Sequence, residues 1–306
     1  MPVTTSRMRP LSVRALTLCG IAVLGLLSAC TTTSTMPASL VAPGAQMQTA
    51  ATGFAFTEGP AADALGHVYF SDIPNNRIHI LRNNGQLETL TANSNGSNGL
   101  FFDNRWRLFA AEGGGARISR LSLRGDAVPV ISSYQGNAFN SPNDLWVDAE
   151  GGIYFTDPRY GNETGVPQDG YHVYYLPAGA SEAIRIIDDM QRPNGIIGTR
   201  DGSTLYVADH GAGQTFAYTL AGPGELTDKR LFAAQGSDGV ALDENGNLYL
   251  TSSNISVYNP AGQLIETIEV PLAPANLTFG GPNRDILTIT ARTTVFTLQM
   301  NVRGMY

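Results

Sequence analysis

Glu58, Asn98, Asn143, Asn194, Asp238 and Asn276 each carry a carboxylate or amide oxygen. Each stands eleven residues, twelve for Asn194, ahead of a large apolar residue: Tyr69, Phe109, Tyr154, Tyr206, Tyr249 and Leu287. One such pair has no meaning. Asn98-Gly99, Asn194-Gly195 and Asp238-Gly239 taken singly are ordinary turn dipeptides. Six in one register call for a shared cause. If the six side chains converge, two carboxylates and four amides are buried together, and an unpaired buried charge costs several kcal/mol. A bound cation removes that cost. Oxygen donors without His or Cys suit a hard ion such as Ca²⁺ or Mg²⁺, with Mn²⁺ less suited.

The elements that would bring them together repeat along the chain. The segments HVYFSD (67–72), RLFAAE (107–112), GIYFTD (152–157), TLYVAD (204–209), NLYLTS (247–252) and DILTIT (285–290) share one pattern, two apolar residues followed by a small or apolar one and then an acid or hydroxyl. The apolar anchors are 40, 45, 52, 43 and 38 residues apart. Units of this length hold four short strands each, and six of them predict an all-β, six-bladed β-propeller. In blade one the strands are expected near 59–63, 67–71, 77–82 and 86–91, with a tight turn at Asn83-Asn84-Gly85. The innermost strand of each blade then begins at one of the six polar residues, which form a ring around the axis. Asp72, Glu112, Asp157 and Asp209, at the ends of the second strands, are expected on the same face, as a polar rim or as turn formers. Blade six lacks an outer strand at its C-terminal end, so residues about 46–53 are expected to pair there and close the ring.

Residues 1–30 form a separate object. Arg7, Arg9 and Arg14 precede an apolar run, Leu16 to Leu27, of signal-peptide length. The run ends in Leu27-Ser28-Ala29-Cys30, which resembles a bacterial lipobox whose cysteine is lipidated. Ordinary secretion is the alternative. The expectation is an exported protein on the periplasmic side, lipid-anchored through Cys30, with a flexible tether at 31–48 and the propeller at 49–306. Removing the three arginines leaves 16 basic residues against 26 acidic ones, net −10. That charge argues against nucleic acid. Both cysteines, Cys19 and Cys30, lie in the export segment, so the propeller has neither disulfide nor thiolate site. No Gly-x-Ser-x-Gly elbow occurs. Of the four histidines, His67 and His79 fall on blade-one strands as surface or packing residues, while His210 follows Asp209 on the expected polar face.

TEGP (57–60), NSPNDLWVDAEGGIYFTDPRYG (140–161), RPNGI (192–196), SDGVALDENGNLYL (237–250) and NLTFGG (276–281) together resemble the SMP-30/gluconolactonase/luciferin-regenerating family over about residues 50–298. The resemblance implies one divalent metal on the propeller axis, held by Glu58, Asn194 and Asp238, with Ca²⁺ the first expectation and Mg²⁺, Mn²⁺ or Zn²⁺ the alternatives. It implies lactone hydrolysis, by default of an aldonolactone, with Asp238 as proton acceptor and Asn143 contacting water or substrate. Asn98 of the same ring is a second candidate substrate contact. Animal members carry an Arg two residues before the equivalent of Asn143, and Ser141 stands here instead, so those substrate contacts do not transfer. The SPND and TDPRYG wording resembles the bacterial gluconolactonase branch. The expected partner is a small-molecule lactone, with no protein partner and no membrane contact beyond a lipid on Cys30. Two other readings share the fold: another metal-dependent esterase or phosphotriesterase, and a non-catalytic binding propeller. The 157–170 insertion is expected to shape the pocket.

Overall fold

The computed structural model describes residues 1–5, 39–160 and 164–306. Residues 6–30 of the export segment, Cys30 among them, and residues 31–38 of the tether, expectations made above, lie outside them. Among the described residues there is no helix. Six four-stranded antiparallel sheets account for the fold.

Blade one runs Thr57–Ala62, Val68–Asp72, Arg77–Leu81 and Leu87–Thr91. The innermost strands of blades two to six are Ser97–Phe102, Leu145–Val147, Pro193–Gly198, Val240–Leu242 and Asn276–Gly280. Each contacts the innermost strand of the next blade, and the sixth contacts the first, so the ring is closed. The apolar anchors all lie on second strands and are buried, from 5% exposed at Tyr69 to 0% at Tyr249 and Leu287. They pack between blades, as where the rings of Tyr249 and Phe279 meet edge to face at 5.3 Å.

Closure follows the expectation. Gln48–Thr52 is the outer strand of blade six and pairs antiparallel with Thr294–Gln299. The tether, however, ends sooner than predicted. From Ser39 the chain already lies on the propeller: Ser39 Oγ and Leu40 N each donate to Glu266 at 2.7 Å. Asn301 N donates to Leu40 O at 2.7 Å, and Val41 and Met47 pack on the core of blades five and six. Residues 39–48 therefore belong with the propeller. The reason is apolar content, since Leu40, Val41 and Met47 give this Ala- and Pro-rich stretch something to bury.

A repeated turn holds the far end of the inner strand in four of the six blades. Asp63 and Asp103 each accept from the backbone N–H groups two and four residues ahead, and so does Asp243. Asp148 accepts from Gly152 N in the same place. A short acidic side chain that caps its own turn fixes where the second strand begins.

Candidate active site on the propeller axis

The inner strands are irregular where chemistry was expected. Pairing with the second strand shifts register between Glu58 and Ala61, between Ser97 and Leu100, and between Pro193 and Ile196. Such bulges re-aim the side chains at the start of a strand. The glycines that follow the ring residues have a further reason to be there. A Cβ on Gly59 would lie 2.0 Å from the backbone oxygen of Asn98, and one on Gly99 would lie 2.8 Å from that of Asn143. On Gly195 it would meet Asp238 O at 2.8 Å, and on Gly239 the Asn276 side chain at 2.1 Å. Only Gly59 of these four has a positive φ, +48°. The Asn-Gly and Asp-Gly pairs are thus not turns. They let neighbouring inner strands approach so closely that the ring residues stand side by side.

Blade three breaks the pattern with Asp144. Its Oδ1 accepts from Leu145 N at 2.9 Å and its Oδ2 from Ile196 N of blade four at 3.4 Å. Burial pushes its carboxyl up to about 7, against those two backbone donors.

The acids at the second-strand ends do not form a rim. Asp72 accepts from Ala55 N and Phe56 N, Asp157 from Asn140 N and Ser141 N, and Asp209 from Gln191 N and Arg192 N. In all three blades these are the second and third residues before the ring residue: Glu58, Asn143 or Asn194. Each carboxylate fixes the two peptide units that aim a ring side chain, and so positions the site without entering it. Glu112 differs, pairing with Arg117 at 2.6 Å.

The central cluster is Glu58, Asn194, Asp238 and Asn276. Glu58 is 3% exposed and Asn194 1%, while Asp238 is half-buried. Glu58 is pushed well above the ordinary carboxylate range, first by burial and then by the charge of Asp238. Asp238 is also raised, by burial, with His210, Asn194 and Arg292 opposing. Neither carboxylate has a salt-bridge partner among the described residues. Asn194 Nδ2 donates to Asp238 Oδ1 at 2.6 Å and to Tyr160 Oη at 2.6 Å. This fixes the amide's orientation and leaves Asn194 Oδ1 buried without a partner. Two crowded carboxylates and an orphaned amide oxygen are the donor set a hard divalent cation requires, and the residues present fit such an ion. No group of three His, Cys, Asp or Glu side chains gathers among the described residues. The third donor here is an asparagine.

Asn98 and Asn143 stand beside this cluster, with their backbone oxygens taken by Ser71 Oγ and Gly99 N, both at 2.8 Å. Their amide side chains make no hydrogen bond among the described residues. His210 is exposed, with its ring 6.2 Å from that of Tyr160. His79 is buried against Phe54 and Phe70, and His67 accepts from Asn83 N, so both are packing residues as expected. Beyond the ring the axis is lined by apolar side chains together with Asp103, Asp144 and Asp148. A cavity of about 320 Å³, lined by Ala61, Leu100, Trp146, Ile196 and Leu277, reaches Tyr306, whose Oη donates to Gly198 O at 2.6 Å.

Two residues of the site escaped the repeat. Asp144 could have been found, since it stands where four other blades carry glycine. Tyr160 could not, because the insertion that carries it has no counterpart in other blades.

The profile of the SMP-30/Gluconolactonase/LRE-like region matches residues 56–293. A gluconolactonase of Zymomonas mobilis is 29% identical in a match of 248 aligned positions that covers 70% of this chain and 69% of that protein. A lactonohydrolase of Aspergillus oryzae is 25% identical over 216 residues, 60% of this chain and 50% of the fungal one. The solved structure of a gluconolactonase from Xanthomonas campestris superposes with a TM-score of 0.79 at 30% identity, covering 85% of this chain and 91% of that one.

Proposed function

The chain belongs to the SMP-30/gluconolactonase/LRE-like family, and from that premise we propose that it is a lactonase which opens a sugar lactone with the help of one divalent cation. The observation that carries this reading is the buried, partnerless Oδ1 of Asn194 beside two carboxylates that lack counterions. Glu58, Asn194 and Asp238 would hold the ion. When bound, it supplies positive charge to the lactone carbonyl as negative charge develops on that oxygen. Every donor is a hard oxygen, which suits calcium, the first choice, and magnesium, the alternative.

The chain's own residues do the rest. Water attacks the carbonyl carbon and Asp238 accepts its proton, within reach of the same carboxylate oxygen that Asn194 orients. The bond from the carbonyl carbon to the ring oxygen breaks, and that oxygen takes the proton Asp238 had accepted, giving the open hydroxy acid and restoring the carboxylate. Asn143 and Asn98, with unengaged amides, contact the substrate and hold it in line. A lactone is an activated ester, so no covalent nucleophile is required. Turnover of a panel of aldonolactones, before and after EDTA and after calcium is restored, tests this reading. Full activity in the stripped protein would refute the dependence on a cation, and inertness of the calcium-loaded protein on every lactone would refute the activity.

We further propose that the propeller lies outside the cytoplasm, held to a membrane by a lipid on Cys30, with ordinary secretion the alternative; the Leu27-Ser28-Ala29-Cys30 motif supports this. Cys30→Ala should move the protein from the membrane fraction to the soluble one with lactonase activity unchanged. Unaltered partition would count against the anchor.

A further inference from the structure

Tyr160 comes from the insertion between the second and third strands of blade three, Ile153–Asp157 and His172–Leu176. Its Oη accepts one N–H of the Asn194 amide while Asp238 accepts the other. An amide nitrogen has two hydrogens, and both are engaged. A phenol oxygen that accepts an N–H bond still has its own O–H to give. Among the described residues no acceptor takes it. One amide nitrogen is all that separates this hydroxyl from the Asp238 carboxylate. Tyr160 is 41% exposed, and its ring stands edge-on to that of His210 at 6.2 Å and lies under the Arg192 guanidinium at 5.1 Å. Its oxygen therefore lies beside the candidate reacting centre, while part of the residue is open to solvent.

Resting on the lactonase reading above, we infer that Tyr160 is a substrate-contacting residue, whose O–H donates to an oxygen of the lactone's ester group. Both ester oxygens gain negative charge as the ring opens, the carbonyl oxygen first and the departing ring oxygen second. A neutral donor fixed next to the proton-accepting carboxylate stabilises that charge more than it stabilises the uncharged ground state. The same hydroxyl oxygen helps keep the Asn194 amide turned with Oδ1 inward. That second duty is shared with Asp238 and survives loss of the hydroxyl.

The test compares wild type with Tyr160→Phe and Tyr160→Ala. Activity is measured on glucono-δ-lactone and on unsubstituted δ-valerolactone, and calcium affinity by titration calorimetry on EDTA-treated protein. Tyr160→Phe should lose about tenfold in kcat/KM, mainly in kcat, on both lactones, as expected for one lost transition-state hydrogen bond. Its calcium affinity should stay within about threefold of wild type, because Asp238 still fixes the amide. Tyr160→Ala should lose at least as much. Wild-type rates for Tyr160→Phe on both lactones would overturn the inference. So would a loss confined to the hydroxylated lactone, which would place the contact on a sugar hydroxyl. A fall in calcium affinity that matches the fall in rate would reduce Tyr160 to a support for the ion and overturn it too. If wild type opens neither lactone, the reading beneath fails, and the inference with it.

Discussion

Replacing Glu58 by Gln should raise the stability of the metal-free protein and remove most of its response to calcium. Glu58 is 3% exposed, its Oε2 accepts from Gly59 N at 2.9 Å, and Asp238 is the charge that acts on it most strongly. Glutamine keeps an acceptor for Gly59, removes one of two crowded charges and can present an N–H to Asp238. Relief of a buried charge together with a new hydrogen bond to a carboxylate is worth about 2 kcal/mol. For a domain of this size that amounts to about 4–8 °C in melting temperature. Calcium at a hundredfold excess over its dissociation constant should stabilise wild type by about 2.7 kcal/mol. The variant keeps only one of the two negative charges facing the ion, and its shift should fall to about 2 °C or less. The variant should therefore melt higher in EDTA, and calcium should close that gap. Scanning calorimetry at about pH 8, above the ordinary carboxylate range, reads both numbers. A metal-free variant that melts below wild type would refute the idea that the acidic pair is strained without its ion. A full calcium shift in Glu58→Gln would refute Glu58 as a ligand.

The remaining predictions concern the supports of the ring. Burial pushes the Asp157 carboxyl up to about 7. The native state therefore binds its proton more tightly than the unfolded chain, and stability contributed below about pH 4 should be lost as pH rises through about 7. Asp144 contributes in the same direction. Denaturant midpoints measured across that window should slope downward, and the slope should shrink in Asp157→Asn. That variant should also be weaker overall by about 1–3 kcal/mol, since an amide accepts only one of the two N–H bonds from Asn140 and Ser141. A slope unchanged in Asp157→Asn would refute the assignment. Gly99→Ala puts a Cβ 2.4 Å from Asp144 Oδ1 and 2.8 Å from Asn143 O, and should destabilise by about 1–3 kcal/mol while lowering lactonase activity. Wild-type stability in that variant would mean that close approach is not why the glycine is there.

The sequence alone determined the architecture and the ring. Six apolar anchors recur because every blade must bury its second strand against its neighbours, so the requirement is printed six times, and polar residues at a fixed distance ahead of them inherit the same register. The strand that closes blade six was legible for a similar reason: one blade was a strand short and residues 46–53 were spare. Three things were decided only by the tertiary structure. Asp72, Asp157 and Asp209 have the same local sequence signal whether they face a substrate or cap a loop. Only the fold, by returning each loop to its own second strand, gives them the N–H groups of Ala55, Asn140 and Gln191 to hold. The glycines after the ring residues look like turn formers in sequence, and are explained only by the backbone of the adjacent blade pressing against them. Tyr160 belongs to no repeat, and its meeting with Asn194 joins residues 34 positions apart through an insertion with its own course. Repetition makes local packing demands readable along the chain, whereas a contact made once, between two blades, leaves no periodic mark.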